Sequence, residues 1–361
     1  MRRPEDLLAW FDLHRRDLPW RRTRDPYRIW LSEVMLQQTR VETVLPFYNR
    51  FLERFPTVED LAGAGIEEVL ALWSGLGYYR RARQLHAAAR RIAELGSFPS
   101  TLEGLLALPG VGAYTAAAVA SIAFGVAAPV MDGNVERVLS RCLALGEDPK
   151  SGGARRQLLA AASELLDRER PGDSNQALME LGATLCSPRR PKCLLCPLRP
   201  GCRAAREGDP DLYPVARVKR QGERHRLVVA VVEKEEGVLL FRRPEDSALL
   251  AGTWELPWVT AEVDGVPGER PPEAALAHRY GGQWTLGPRV VGVRHGITYR
   301  DLEVDVHRAS LVWGGEVREG SAAGWFDAAG RSGLPSSSLV GKVLAALSPA
   351  APARRSRSRR R

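Results

Sequence analysis

Four cysteines, Cys186, Cys193, Cys196 and Cys202, follow one another in the spacing C-x6-C-x2-C-x5-C. Thiols at that density either pair as disulfides or hold a soft metal. No apolar segment follows Met1-Arg2-Arg3, so no secretory leader is read; a reducing cytoplasm is expected, and metal is favoured. Zinc sites commonly use two C-x2-C knuckles or add histidine. One knuckle without histidine suits a [4Fe–4S] cluster better, ligated by all four thiolates. Arg189, Arg190, Lys192, Arg199 and Arg203 would make the pinned loop cationic. Cys142, the fifth cysteine, reads as a buried helical thiol.

A second constellation lies upstream. Leu108-Pro109-Gly110-Val111-Gly112 sets two glycines one residue apart ahead of an alanine-rich helical run, which leads to Met131-Asp132-Gly133-Asn134. Glycines tolerate positive φ and let backbone N–H groups come close to a ligand. Gathered at a helix N-terminus, such donors favour phosphate. A phosphate grip followed by one carboxylate, Asp132, suits chemistry on nucleic acid, although PG and VG turns more often only reverse a chain. Glu33 is the other acidic candidate. It falls on the helix launched by Asp25-Pro26, an N-cap with proline at the first helical position, on one face with Gln37 and Arg40. A helix glutamate is usually solvated, but the amides of Gln37 and Gln38 beside Thr39 suit a hydrogen-bonding pocket. Gly75-Leu76-Gly77-Tyr78-Tyr79 is followed by Arg80, Arg81 and Arg83. The tyrosines could stack on or wedge between bases while the arginines hold phosphates. A tyrosine corner beside a solvated basic helix reads equally well.

The elements that must position these residues are helical throughout 1–190, with amphipathic runs at Phe47–Phe55, Ile66–Trp73, 84–107, Val135–Leu145 and Gly153–Leu166 and no internal repeat. Residues 206–224 carry prolines and charges and read as a linker. Beyond them the pattern turns to strands. Leu227–Val232 and Val238–Phe241 flank the hairpin signal Glu235-Glu236-Gly237, and 290–293, 302–306 and 309–313 are further candidates. The fold class is therefore multidomain: an all-α domain over 1–205, with the glycine turn and its helix at 108–124 and the cysteine loop at 186–202, then an α+β domain over 225–347. A basic tail, 348–361, follows.

At 361 residues, 44% apolar and 26% charged, the chain can bury two cores. Its net charge is +9, with nearly all the basic charge carried by arginine, which favours a polyanionic partner without requiring one. The longest apolar run, Ala116–Met131, is broken by Ser121, Gly125 and Pro129 and falls short of a membrane span. No membrane association is expected.

Taken together, LPGVGAYTAAAVASIAFG, VMDGNVERV and the four-cysteine loop resemble the helix-hairpin-helix DNA glycosylases that carry an iron–sulfur cluster. LSEVMLQQTRVETV at 31–44, GLGYYRRAR at 75–83 and SPRRP at 187–191 resemble their MutY-type adenine glycosylase branch. The likeness runs from about residue 7 to 205 and is looser beyond. It implies a base-excision-repair hydrolase, monomeric and nucleoid-associated in a bacterial cytoplasm. Such an enzyme flips adenine out of A:8-oxoguanine or A:G mispairs in double-stranded DNA and cleaves its N-glycosidic bond. Glu33 matches the general acid that protonates adenine N7. Asp132 matches the carboxylate facing the oxocarbenium-like sugar, and Asn134 a residue that orients the site. Arg16, Trp20, Leu36 and Gln176 match pocket residues around the adenine. Gln38 and Tyr78 match residues inserted near the partner base, and Gly110, Val111, Gly112 and Tyr114 the hairpin against DNA.

Relatives resembling endonuclease III carry a lysine at the position of Tyr114, and its amine forms a Schiff base. Tyr114 therefore implies base removal with little lyase activity. An oxidised-pyrimidine glycosylase/lyase is the alternative within the superfamily, and an idle iron–sulfur DNA-binding protein the alternative of another class. The C-terminal domain resembles the Nudix fold, Leu250–Pro257 lying close to that family's turn. The glutamates a Nudix hydrolase needs for Mg²⁺ are missing after Gly252, which implies a binding module for 8-oxoguanine. His295-Gly296-Ile297-Thr298-Tyr299 matches its recognition loop, with Thr298 in place of serine and Ile297 and Tyr299 as departures.

Overall fold

The computed structural model describes residues 4–215, 222–244, 246–247, 250–297, 299–312, 323–332 and 334–347. The helices are α1 (Pro4–His14), α2 (Pro26–Leu36), α3 (Val41–Arg54), α4 (Val58–Gly63), α5 (Ile66–Trp73), α6 (Arg80–Leu95), α7 (Leu102–Leu106), α8 (Ala113–Phe124), α9 (Gly133–Leu143), α10 (Gly152–Glu164), α11 (Pro171–Thr184), α12 (Arg203–Glu207), α13 (Pro272–Tyr280), α14 (Ala328–Ser332) and α15 (Ser338–Leu347). The strands are β1 (Glu223–Val231), β2 (Glu233–Lys234), β3 (Gly237–Arg242), β4 (Trp254–Glu255), β5 (Trp258–Val263), β6 (Val266–Pro267), β7 (Gln283–Ile297), β8 (Arg300–Val312) and β9 (Ala323–Phe326). Two compact units result. One combines Met1–Gly65 with Arg81–Val218, the other Ile66–Arg80 with Lys219–Arg361. One piece of the helical half, 66–80, thus clusters with the second unit, which periodicity along the chain does not reveal.

In the first unit α2 starts as its sequence dictates, Asp25 Oδ1 accepting from Tyr27 N at 2.9 Å with Pro26 at the first helical position. It ends earlier than its apolar period suggests. Leu36 is the last helical residue and Gln38 is left-handed at φ +57°, so Arg40 does not continue the face of Glu33. Arg81 on α6 terminates it. Its Nη1 donates to the carbonyls of Val34 and Met35, both at 2.9 Å, and of Gln37 at 2.6 Å, while Nη2 donates to Thr39 Oγ1 at 3.2 Å. A guanidinium over the last carbonyls satisfies groups the helix cannot. Arg81 is buried, so the phosphate grip expected of it gives way to a helix cap.

The alanine-rich α8 is buried along most of its length, packed against α2, α7 and α11. Helix α11 comes closest at its glycines. A Cβ on Gly172 would stand 2.7 Å from Ile122 Cα and Ser121 O, and one on Gly182 2.6 Å from Asn134 Cβ. Between them Asn175 donates to Ser121 Oγ and Ala128 O, both at 2.8 Å, and accepts from Val130 N at 3.1 Å. That anchors the connection from α8 to α9. The stretch expected to begin a linker at 206 is still part of this unit. Arg141, buried, donates through Nε to Pro210 O at 2.8 Å and Tyr213 O at 3.0 Å.

The second unit holds a five-stranded sheet, β6-β5-β1-β8-β7, with β1 parallel to β8 and the other pairs antiparallel, and a smaller sheet of β2, β3, β4 and β9. Alternate residues of β1 enter two cores. Leu227, Val229 and Val231 join Val304, Val306 and Val340, whereas Val228 and Ala230, with Val232 just beyond the strand, join Leu276, Tyr280 and Trp284. Burial on both faces explains the continuous apolar run. The hairpin expected at Glu235-Glu236-Gly237 forms between β2 and β3, with Glu233 opposite Val238 and Lys234 opposite Gly237, while β1, just before it, belongs to the larger sheet. No helix among the described residues is long and apolar enough to cross a membrane. The basic tail 348–361 lies outside the described residues.

Candidate active site and cysteine loop

A cleft of about 960 Å³ opens in the first unit. Glu33, Asp132 and Asn134 line it, together with Arg16, Trp20, Leu36, Gln176, Gln38, Gly110, Gly112 and Tyr114. Glu33 and Asp132, far apart in sequence, therefore share one chamber. Three of the residues singled out for contact with DNA or the partner base do not line it. Val111 turns inward, buried, with its amide on Leu108 O at 3.2 Å, so the outward face of the hairpin belongs to its glycines. Tyr78 and Tyr299 belong to the second unit. Thr298 lies outside the described residues.

Glu33 is 6% exposed. Burial pushes its carboxyl up to about 7; the Tyr114 hydrogen bond and Arg21 pull it back, while the charge of Asp132 pushes it further. The Tyr114 hydroxyl donates to Glu33 Oε2 at 2.5 Å and lies 3.3 Å from Met179 Sδ. Burial, with the charges of Glu33 and Asp132, drives the phenol well above its ordinary value, so it stays a neutral donor. Asp132 is the N-cap of α9. Its Oδ1 accepts from Val135 N at 2.7 Å and its Oδ2 from Asn134 Nδ2 at 2.9 Å. Arg137 fixes Asn134 in turn, Nη2 donating to Asn134 Oδ1 at 2.9 Å and Gly182 O at 2.8 Å, and Nε to Cys186 O at 2.8 Å.

Sequence reasoning missed Glu180, a buried anion that lines the cleft. Arg16 grips it with Nε at 2.7 Å and Nη2 at 2.8 Å, and Arg21 adds Nη2 at 2.8 Å. Burial alone would raise its pKa, but the two guanidinia outweigh that and hold it at about 2. Arg16 is thus committed to an internal ion pair. The signal was present, since Glu180 stands four residues after Gln176 on one face of α11.

The two hairpin glycines differ. Gly110 is left-handed at φ +72°, and a Cβ there would stand 2.5 Å from Gln84 Cβ. Gly112, at φ −93°, is extended with open space around it. Only the first is sterically required. The second caps α8, whose first amides have no partner within the helix.

Cys186, Cys193, Cys196 and Cys202 all line one small cavity, and so does Cys142. Cys142 is, as its helical setting implied, a buried thiol on α9, and it also borders this space. Arg141 Nη1 lies 3.3 Å from Cys186 Sγ, and Lys192 and Arg199 also border the cavity. Among the described residues no group of three or more metal-binding side chains stands in a ready ligand geometry. The donor chemistry nevertheless fits a thiophilic group: four thiols face one space, with cations beside them to offset thiolate charge.

A helical unit with a glycine hairpin over a two-carboxylate cleft defines the class. Residues 31–163 match the HhH-GPD superfamily base excision DNA repair protein model. The chain belongs to that superfamily and, within it, to the adenine DNA glycosylase family. Adenine DNA glycosylase of Schizosaccharomyces pombe is 36% identical over 316 residues, covering 71% of this chain and 68% of that protein. The Rattus norvegicus and Homo sapiens adenine DNA glycosylases are each 43% identical over 72% and 71% of this chain. The matches span only 61% and 57% of those two mammalian proteins. Among solved structures, a thermostable thymine-DNA glycosylase is similar, with 33% identity, a TM-score of 0.52, and coverage of 56% of this chain and 95% of that one.

Proposed function

We propose that the chain removes adenine from A:8-oxoguanine and A:G mispairs in duplex DNA by hydrolysis of the N-glycosidic bond. The observation that carries this reading is the buried Glu33 carboxyl, raised to about 7, under the Tyr114 hydroxyl and in one cleft with Asp132. A glycosylase must make the base a better leaving group and stabilise the sugar cation. An acid titrating near neutrality can do the first. Glu33 protonates N7 of a flipped adenine, and the Asp132 carboxylate, fixed by Val135 N and Asn134, faces the sugar as positive charge develops. Trp20, Leu36 and Gln176 surround the base, with Arg16 and Glu180 as a rigid part of the lining. Gly110, Gly112 and the first amides of α8 approach the backbone phosphates. Gln38 and Tyr78 engage the duplex around the partner base. Thr298 and Tyr299 belong to a loop that reads 8-oxoguanine, in a second unit of Nudix type.

Cys186, Cys193, Cys196 and Cys202 would hold one [4Fe–4S] cluster, which pins a cationic loop. Through Arg137, that loop and Asn134 are braced by the same guanidinium. No amine lines the cleft among the described residues, and Tyr114 occupies the position a Schiff-base lysine would need.

Single-turnover excision on A:8-oxoguanine, A:G and thymine-glycol duplexes, run in parallel, tests the reading. Adenine release is expected from the first two, with no stoichiometric covalent adduct on borohydride treatment. Asp132→Asn should lose excision and keep duplex binding. Thymine-glycol release without adenine release, or a fully active Asp132→Asn, would refute it.

A further inference from the structure

The turn after α5, which packs within the second unit, ends in two tyrosines with opposite fates. Tyr79 is 3% exposed and Tyr78 is 50% exposed. Three residues of the turn are left-handed, Gly75 at φ +104°, Gly77 at +71° and Tyr78 at +50°. Glycine adopts that region freely; a tyrosine is held there only where its surroundings over-determine it. Trp73 Nε1 donates to Gly77 O at 3.0 Å. The Tyr79 hydroxyl donates to Ser336 O at 3.0 Å and lies 3.2 Å from Ser74 Oγ, which donates to Leu334 O at 3.4 Å. Residues 334–336 are in turn tied to β4, since Trp254 N donates to Pro335 O at 2.8 Å and Trp254 bridges Ser336. On the other side of the turn, Arg242 of β3 holds Glu67 of α5 at 2.5 Å.

We propose that Tyr79 is a positioning residue whose hydroxyl, bonded to the Ser336 carbonyl, locks the 75–78 turn so that Tyr78 stands out as a rigid wedge for duplex DNA. The proposal rests on the reading of the chain as a DNA glycosylase. It extends that reading by giving the 334–336 segment a part in DNA engagement, separate from any contact by residues 295–299. A wedge already set in its strained backbone pays no ordering entropy on binding. A released turn relaxes toward negative φ and withdraws the ring.

Tyr79→Phe removes one oxygen and keeps the ring buried. Hydrogen exchange and equilibrium binding to a duplex carrying a non-cleavable adenosine analogue opposite 8-oxoguanine would both be measured on the full chain. Loss of one net hydrogen bond should speed exchange at 75–79 and at 334–337 together by about 3- to 10-fold, leave α2 and α8 unchanged, and weaken binding by about 3- to 10-fold. Tyr78→Ala should also weaken binding, and adding Tyr79→Phe to it should cost nothing more. Ser74→Ala, a milder change at the same junction, should move both readouts in the same direction by less. Wild-type exchange in Tyr79→Phe, a binding loss that adds in full to that of Tyr78→Ala, or unaltered binding by Tyr78→Ala would each overturn the proposal. A chain that released no adenine would refute the proposed activity alone, because the exchange and affinity measurements need no catalysis.

Discussion

Replacing Tyr114 with phenylalanine isolates what tunes Glu33. The phenol donates at 2.5 Å to Glu33 Oε2, a bond that favours the ionised carboxylate. A hydrogen bond to a charged group is worth roughly 1.5–3 kcal/mol net, and 1.36 kcal/mol corresponds to one unit of pKa. Glu33, which burial pushes up to about 7, should therefore titrate about one to two units higher in the variant. The sign follows from its role. In the proposed role of general acid Glu33 works when protonated, so excision is expected below its pKa and lost as pH rises through it. Single-turnover adenine release from A:8-oxoguanine duplex, measured from about pH 5 to about pH 10, should show the falling limb at about 7 in the parent chain and at about 8 to 9 in Tyr114→Phe. The height of the plateau reports any further role of the hydroxyl and does not enter the comparison. A limb that stays in place or moves to lower pH would refute the assignment of Glu33 as the acid and of Tyr114 as its tuner.

Two further changes separate the supports of the cleft. Gly110→Ala forces a side chain into a left-handed position 2.5 Å from Gln84 Cβ; it should cost about 1–3 kcal/mol in denaturant unfolding and weaken duplex binding, whereas Gly112→Ala, with open space around it, should change stability by less than about 1 kcal/mol. Glu180→Gln leaves Arg16 and Arg21 without their anion and should lower stability by about 3–5 kcal/mol in urea titrations at neutral pH. Because the Glu180 pKa is depressed to about 2, its contribution is present above the ordinary carboxylate range and lost as pH falls toward 2, so the gap between parent and variant should close in acid.

Much of the site was legible because its chemistry sits in contiguous motifs. The Asp132 cap, the glycine hairpin and the cysteine spacing are local patterns, and local backbone rules carry them. What escaped notice depends on partners distant in the chain. Glu33 is legible through its motif, but its pairing with Tyr114 is not until α8 brings the phenol beside it. Arg81 reads as surface charge until its guanidinium is found over the end of α2. Glu180 needed the fold to deliver Arg16 and Arg21. Strand periodicity located most of the second unit, but β1 is buried on both faces and its run cannot say which sheet it enters. Segment 66–80 carries an ordinary amphipathic pattern, and nothing in that pattern names the unit its apolar side chains join.

Helix α11 meets its neighbours through missing methyl groups. Gly172 touches the end of α8 and Gly182 touches Asn134 at the start of α9, ten positions and roughly 15 Å apart along one helix. The helix therefore works as a gauge block. It sets the span that the 125–132 connection must cross, and so how far Asp132 projects into the chamber. A single carbon added at Gly182 would act on Asp132 through Asn134, without touching Asp132 itself.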